Sequence, residues 1–315
     1  MQERELANPI VHFFPDELVW RCQSTTDCEC GVEATQAHLN RSAFSNLQHT
    51  ELTDSPSRPI TTFGHHWKNI LDEYMTLGIT KEADILPALS GVAQHVQIQN
   101  NPGQYIAGFW ERDIVHQLAW HYAALPGTSK TWSDNPSFSW TASPARGIRW
   151  DRTQHIYTSH VHPLALYVSA EVHLATSNPY GKTSECSLTL RGPTMSGTNL
   201  IKVYDTAGTT DREDTLYMDH RDAKSAEESK TVPLANLISD PTNVVCLALW
   251  RRDDIFDAEG ENSDLNDNAD FSRKINALVL ELVPATTKYR RIGLLEFAPV
   301  YWFEWFASEQ TVTLV

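Results

Sequence analysis

The chain has 315 residues, 41% of them apolar, and 40 acidic against 25 basic side chains leave a formal net charge of −15. That balance excludes a nucleic-acid surface, because such affinity comes from Lys and Arg contacts that release counterions from phosphates. A membrane-spanning helix needs about eighteen apolar residues in a row, and the longest runs here, Val244 to Trp250 and Ala277 to Leu280, have only strand length.

The first residues carry Glu3, Arg4, Glu5, Asp16 and Glu17 where a secretory leader would have a basic start and an apolar stretch. Cysteine use agrees with a cytoplasmic setting. The five cysteines (Cys22, Cys28, Cys30, Cys186 and Cys246) are odd in number, and Cys186 and Cys246 lie inside apolar runs where a reduced thiol packs as a small hydrophobe. The single sequon, Asn40-Arg41-Ser42, is a chance match on this reading.

In chain order, residues 9–14 and 17–22 read as a hairpin turned at Pro15-Asp16. The polar stretch from Asp27 to Pro59 reads as a helix fragment and a long loop. Trp67, Ile70, Leu71 and Tyr74 then fall at helical spacing, with Gly78 placed to close the helix. Ile85, Leu89, Val92 and Val96 mark a second helix, capped by Thr80 and able to hold Pro87 only in its first turns. A third is expected from about Gly108 to Ala124, with Trp110, Ile114, Leu118 and Tyr122 on one stripe.

Beyond Trp140 the period shortens. Runs near 163–174, 185–191, 199–205, 214–219, 243–251, 275–283, 288–297 and 310–315 read as strands, separated by turns such as Asn178-Pro179-Tyr180-Gly181. The runs 244–250 and 277–280 are so continuously apolar that those strands should be covered on both faces. Asp211 to Lys230 and Asp253 to Asp270 are charged and read as mobile surface loops. Pro299 to Ser308 reads as a short aromatic helix against the last strand. The fold class is therefore α+β: an N-terminal hairpin and a three-helix segment followed by an antiparallel β-rich sandwich or barrel. The segments are 1–25 (hairpin), 26–64 (linker), 65–135 (helical) and 136–315 (β-rich).

Two groups have the residue types of a metal site. His160 and His162 are two apart on one strand face, as are Glu171 and His173, and with His155 they could line a barrel. Cys22, Cys28 and Cys30 with His38 could hold zinc, although C-x5-C-x-C is an uncommon ligand spacing. Neither group is reinforced by a further ligand cluster, so no metal and no cofactor is expected. Gly181-Lys182-Thr183 ends like a phosphate loop but joins two strands with no helix after it, so it reads as a hairpin turn. Asp264, Asn266 and Asn268 begin like a calcium loop, but Ala269 and Ile275 stand where Gly and Glu are required. No G-x-S-x-G elbow occurs, and the catalytic residues are unassigned.

Met1-Gln2-Glu3-Arg4-Glu5-Leu6, Pro9 to Phe14 and then Asp16 to Cys22 resemble the end of the fungal heterokaryon incompatibility (HET) domain. The likeness continues in family order. Asp84 to Ala93 looks like the family's D-x-L-x-A-I-S-G-x-A element, Tyr105 to Trp110 like its Y-x-A-G-L-W, and Pro136 to Trp140 like its P-S-W-S-W with Phe138 at the first Trp. Tyr289-Arg290-Arg291-Ile292-Gly293 matches Y-R-R-I-G, and Thr311 to Val315 matches the terminal strand.

The resemblance implies the downstream part of a HET-type protein that begins in mid-motif, with a non-catalytic role in non-self recognition and programmed cell death. It implies protein partners or self-association. If neighbouring sheet is missing at 9–22, an exposed apolar edge is expected there. The HET domain is thought to resemble the TIR domain, some members of which cleave NAD with a glutamate, so Glu3 is the one carboxylate the likeness brings forward. Residues of the later blocks read physically as packing: aromatics at helical or strand spacing, and a Gly that permits chain reversal. The alternative is a small-molecule or metal-dependent enzyme with a histidine-lined β-barrel pocket.

Overall fold

The computed structural model describes residues 10–13, 18–21, 26–28, 62–75, 81–122, 135–142, 148–150, 161–206, 215–219, 234–236, 238–253 and 273–315. Strands β1 (Ile10–Phe13) and β2 (Leu18–Arg21) pair antiparallel with Phe13 opposite Leu18, the hairpin pairing expected; Pro15 and Asp16 lie outside the described residues. A third strand, β3 (Thr26–Cys28), extends this sheet where a polar loop was expected. Val11 and Leu18 are exposed, at 47% and 37%, so apolar surface is present on this hairpin.

Helix α1 (Thr62–Met75) buries Trp67, Ile70, Leu71 and Tyr74, the stripe read from their spacing. The second expected helix is divided. Short 3₁₀ turns at Glu82–Asp84 and Pro87–Leu89 precede α2 (Ser90–Asn100), and Pro87 stands at the start of its own turn because a proline lacks the N–H that a continuous helix would need there. Ser90 Oγ donates to Pro87 O at 2.7 Å, closing the junction. Thr80 and Gly78 lie outside the described residues.

The third expected helix shrinks to one turn, α3 (Ile114–Gln117), preceded by a small hairpin of β4 (Tyr105–Ile106) and β5 (Phe109–Trp110) and followed by β6 (Trp120–Tyr122), which pairs with β7 (Ile148–Trp150). The hairpin turns at Ala107 and Gly108, whose φ values of 46° and 100° suit a two-residue turn with both central residues left-handed. Helix cannot pass through that geometry. The stripe Trp110, Ile114, Leu118 and Tyr122 is buried all the same. Gln117 replaces a missing strand partner: its side chain accepts from Trp110 N at 3.1 Å and donates to Trp110 O at 2.9 Å.

The rest of the chain builds the large sheet from β8 (Val161–Pro163), β9 (Leu166–Leu174), β10 (Thr183–Ser196), β11 (Thr215–Met218), β12 (Val244–Asp253), β13 (Arg273–Leu282), β14 (Lys288–Pro299) and β15 (Ser308–Leu314). The path runs β8-β12-β13-β14-β15-β10-β9, and β11 pairs with β14. A further pairing of β10 with β12 closes five of these strands into a ring, with one short parallel contact between β14 and β15 and antiparallel contacts elsewhere. Of the two expected architectures, sandwich and barrel, this is the barrel type. The run 199–205 is not a strand: it belongs to helix α4 (Gly197–Thr206), because Leu200 and Tyr204, four apart, are its buried pair while β-branched Ile201 and Val203 stay half-exposed. The aromatic run near the end forms α5 (Val300–Phe306), as expected.

Strands β12 and β13 are covered on both faces. Leu247, Leu249, Leu278 and Leu280 join the core that contains α1, α2 and the small hairpin. Their neighbours Cys246, Ala248, Ala277 and Val279 face a second core closed by Leu200, Tyr204, Trp302 and Phe303 of α4 and α5. Each fully buried leucine contributes about 1.5–3 kcal/mol, which is why continuous apolar runs are retained in these central strands.

Asp72 on α1 is at odds with its setting. Burial pushes its carboxyl from 3.8 up to about 6, against the opposing pull of Lys68 and Arg149. The folded state therefore binds this proton more tightly than the unfolded chain, so stability falls as pH rises between about 4 and 6. A displacement of that size corresponds to about 3 kcal/mol, and partial solvent access reduces it to about 1–2 kcal/mol. Asp72→Asn is expected to stabilise by that amount near pH 7 and to be neutral near pH 4. Urea titrations at both pH values check this, and an equal effect at both would refute it.

Candidate functional site

The five resemblance blocks from Asp84 onward come together in one buried seam between the helical segment and the sheet. Gly108 O receives two indole N–H groups, from Trp67 at 3.1 Å and Trp140 at 3.2 Å. Ser139 Oγ donates to Ala107 O at 2.6 Å, and Trp120 Nε1 donates to Phe138 O at 3.0 Å. Tyr74 Oη donates to Ile85 O at 2.6 Å, tying the 84–93 block to α1. The segment 136–140 is a turn leading into a 3₁₀ turn at Trp140–Ala142, where an extended stretch was expected, but it does lie between the helical part and the sheet. Ser137 N donates to Val315 O at 3.0 Å, and Arg291 N donates to Ser137 Oγ at 2.8 Å.

Aromatic rings fill the helical side of the seam. Trp110 meets Trp67 at 5.6 Å and Tyr105 at 4.8 Å between centroids, and Tyr74 meets Trp140 at 6.1 Å, all edge to face. Such pairs add about 0.5–1.5 kcal/mol each beyond their burial.

Arg291 is the centre of the seam, with none of its side chain exposed. Its Nε donates to Asp219 Oδ2 at 3.1 Å, one terminal nitrogen donates to Leu118 O at 2.9 Å, and the other donates to Trp120 O. The guanidinium carbon also lies 3.6 Å from the centroid of the Trp120 ring. Burial pulls the guanidinium below its ordinary value while the Asp219 carboxylate opposes that pull. An arginine stays charged under such pressure, so the pair is a permanent buried ion pair. Asp219 is held in place by its own backbone, whose N–H donates to Ile292 O at 2.8 Å as an extension of the β11–β14 pairing. Because the fork of Arg291 is spent on two backbone carbonyls and a carboxylate, it fastens three segments and offers nothing to a substrate.

Of the residues singled out for metal chemistry, the described ones do not assemble. His162 is half-exposed on β8, 3.2 Å from Asp253 Oδ2, in a surface network with Arg251. Glu171 and His173 are exposed near the far end of β9, which at about 3.3 Å per residue is roughly 25 Å of strand beyond its first residue. Among the described residues no group of three His, Cys, Asp or Glu side chains could hold a metal ion. Glu3, His155, His160, Cys22, Cys30 and His38, together with the acidic stretch 264–269, lie outside the described residues, and of Cys28 only its place in β3 is described. Gly181-Lys182-Thr183 forms the turn between β9 and β10, with Gly181 N donating to Asn178 O at 3.0 Å. Cys186 and Cys246 are buried and unpaired by disulfide, and burial pushes both thiols up, Cys186 to about 12. They are inert packing groups.

Sequence reasoning quoted Arg291 only as part of a block and did not single out Asp219. The available signal was a charged pair, Arg290-Arg291, beside the apolar run Ile292 to Leu295 of one strand, since one of two adjacent strand residues must point inward. No helix among the described residues is long and apolar enough to cross a membrane. No family model, curated protein or solved structure matches the chain.

Proposed function

We propose that the chain acts as the non-catalytic C-terminal region of a fungal HET-type protein, in the cytoplasm, where it supports a signalling domain in non-self recognition and programmed cell death. The observation that carries this reading is the meeting of the five later resemblance blocks, all but the N-terminal one, in the Arg291 seam, through the bonds of Ile85, Ala107, Gly108, Ser137, Ser139, Arg291 and Val315. Residues of that kind preserve an architecture, and the polar groups named in these bonds are engaged within the protein. The rival reading, an enzyme with a histidine-lined pocket, has no support from His162 and His173, which stand apart on the surface.

Expression in hyphae tests the proposal. The chain by itself should leave viability unchanged, and the same chain joined behind a HET domain should give death on fusion of unlike strains. Death caused by the chain alone, or NAD consumption by the purified chain, would overturn it.

A further inference from the structure

Strand β9 is a nine-residue edge strand, and among the described residues β10 is its sole strand partner. Natural edge strands of that length are usually blunted by lysine, proline or a covering element. Leu166-Tyr-Val-Ser-Ala-Glu-Val-His-Leu174 contains neither residue, and both its first and last leucines are exposed. The opposite end of the sheet path is guarded in the ordinary way, since β8 is three residues long and ends in Pro163.

The direction of the free backbone groups can be read from three bonds. Ala175 N donates to Lys182 O at 2.9 Å and the His173 carbonyl accepts from Ser184 Oγ at 3.2 Å, so the odd-numbered residues turn their backbone groups toward β10. The Ala170 amide instead serves the Tyr167 hydroxyl. Ala170, Val172 and Leu174 therefore turn theirs to the open edge.

We propose that this edge pairs with the same edge of a second copy of the chain, antiparallel about a two-fold axis at Val172. Val172 of the two copies would then exchange both backbone hydrogen bonds, and Ala170 would do the same with Leu174 of the other copy once its amide exchanges the Tyr167 hydroxyl for the Leu174 carbonyl. The register puts Glu171 directly opposite His173 of the second copy, twice by symmetry, in the closely spaced non-hydrogen-bonded positions. A symmetric register centred one residue earlier would oppose Glu171 to itself, so charge selects the Val172 axis. Leu174 would lie across from Ala170 of the second copy, which removes an exposed leucine from water. His173 also faces Glu185, its cross-strand neighbour on β10, while Glu171 faces Ser187 there. His173 is thus flanked by two carboxylates in the pair of copies and by one in the single chain.

Sedimentation velocity of the full chain over a concentration series reads the outcome. The wild type is expected to dimerise. Glu171→Lys, an exposed change with little effect on folding, should weaken the dimer about tenfold by placing like charges opposite each other. The double change Glu171→Lys with His173→Glu restores opposite charges and should recover the dimer. Val172→Pro removes an amide that faces away from β10 and should give a monomer with an unchanged far-ultraviolet spectrum. A wild type that stays monomeric, or a dimer indifferent to both Glu171→Lys and Val172→Pro, would overturn the proposal. Association that survives Val172→Pro would instead assign the contact to another surface, such as the exposed Val11 and Leu18 of the N-terminal hairpin.

Discussion

Replacing Arg291 by methionine is expected to lower the folding free energy by about 3–5 kcal/mol, the largest loss of any single charged residue described in the chain. The shape of the side chain is largely kept, so the cost comes from what is left behind. Asp219 becomes a buried carboxylate with no counter-charge, and the Leu118 and Trp120 carbonyls each lose the guanidinium as donor, Leu118 O keeping only Trp120 N at 2.9 Å. For a domain of ordinary stability this is a large fraction of the total. Urea denaturation followed by tryptophan fluorescence reports it well, because Trp120 lies against the guanidinium.

Three companion variants separate charge from geometry. Arg291→Lys keeps the charge but loses the planar fork that reaches Asp219 and two carbonyls together, so about half of the loss should remain. Adding Asp219→Leu to Arg291→Met removes the stranded carboxylate and should return about 1–3 kcal/mol, a coupling that neighbours in one buried network show and distant sites do not. The carbonyls of Leu118 and Trp120 still lack the guanidinium donor in that double variant, so recovery should be incomplete. A control at Arg290, half-exposed and paired with Glu281 at 2.7 Å, should cost no more than about 1 kcal/mol. Equal losses at Arg290 and Arg291 would show that the buried seam is not what holds the helical segment to the sheet.

Those two arginines also show where the sequence stops being informative. Adjacent residues on a strand point to opposite faces, so one of the pair had to be buried, but nothing in Tyr289 to Gly293 says which. The answer depends on Asp219, Leu118 and Trp120, all more than seventy positions away along the chain. The central strands were easier to read, because the runs at 244–250 and 277–280 leave no polar face to expose. Residues 199–205 misled because Ile201 and Val203 favour strand locally, whereas the buried spacing of Leu200 and Tyr204 belongs to a helix. The helix expected from Gly108 failed for a backbone reason: Ala107 adopts a left-handed conformation without being a glycine, which no propensity announces. The described histidines were legible only in part. Their two-residue spacing correctly placed Glu171 and His173 on one face, and the face proved to be solvent.

Gly108 is the position where the smallest possible side chain should do the most damage. Its φ of 100° is costly for any residue with a Cβ, and that Cβ would meet Trp140 Nε1 at 2.4 Å and Cε2 at 2.9 Å. Backbone strain of about 1–3 kcal/mol adds to an overpacking cost of about 1–3 kcal/mol, because Trp140 is fully buried and its ring has nowhere to retreat. Any shift of the turn also disturbs Gly108 O, which holds the indoles of Trp67 and Trp140 at once. Gly108→Ala is therefore expected to cost about 3–5 kcal/mol, whereas Ala107→Gly, which relieves a left-handed alanine at φ 46°, should be neutral or stabilise by up to about 1 kcal/mol. The clash has a named partner, so the two contributions can be told apart. Trp140→Phe removes the indole nitrogen that the new methyl would strike. In that background Gly108→Ala should cost about 1–2 kcal/mol less than in the wild type, leaving the strain alone. Chemical denaturation of the four proteins in this cycle measures the difference directly. Strict additivity would place the whole effect in the backbone and remove Trp140 from the argument.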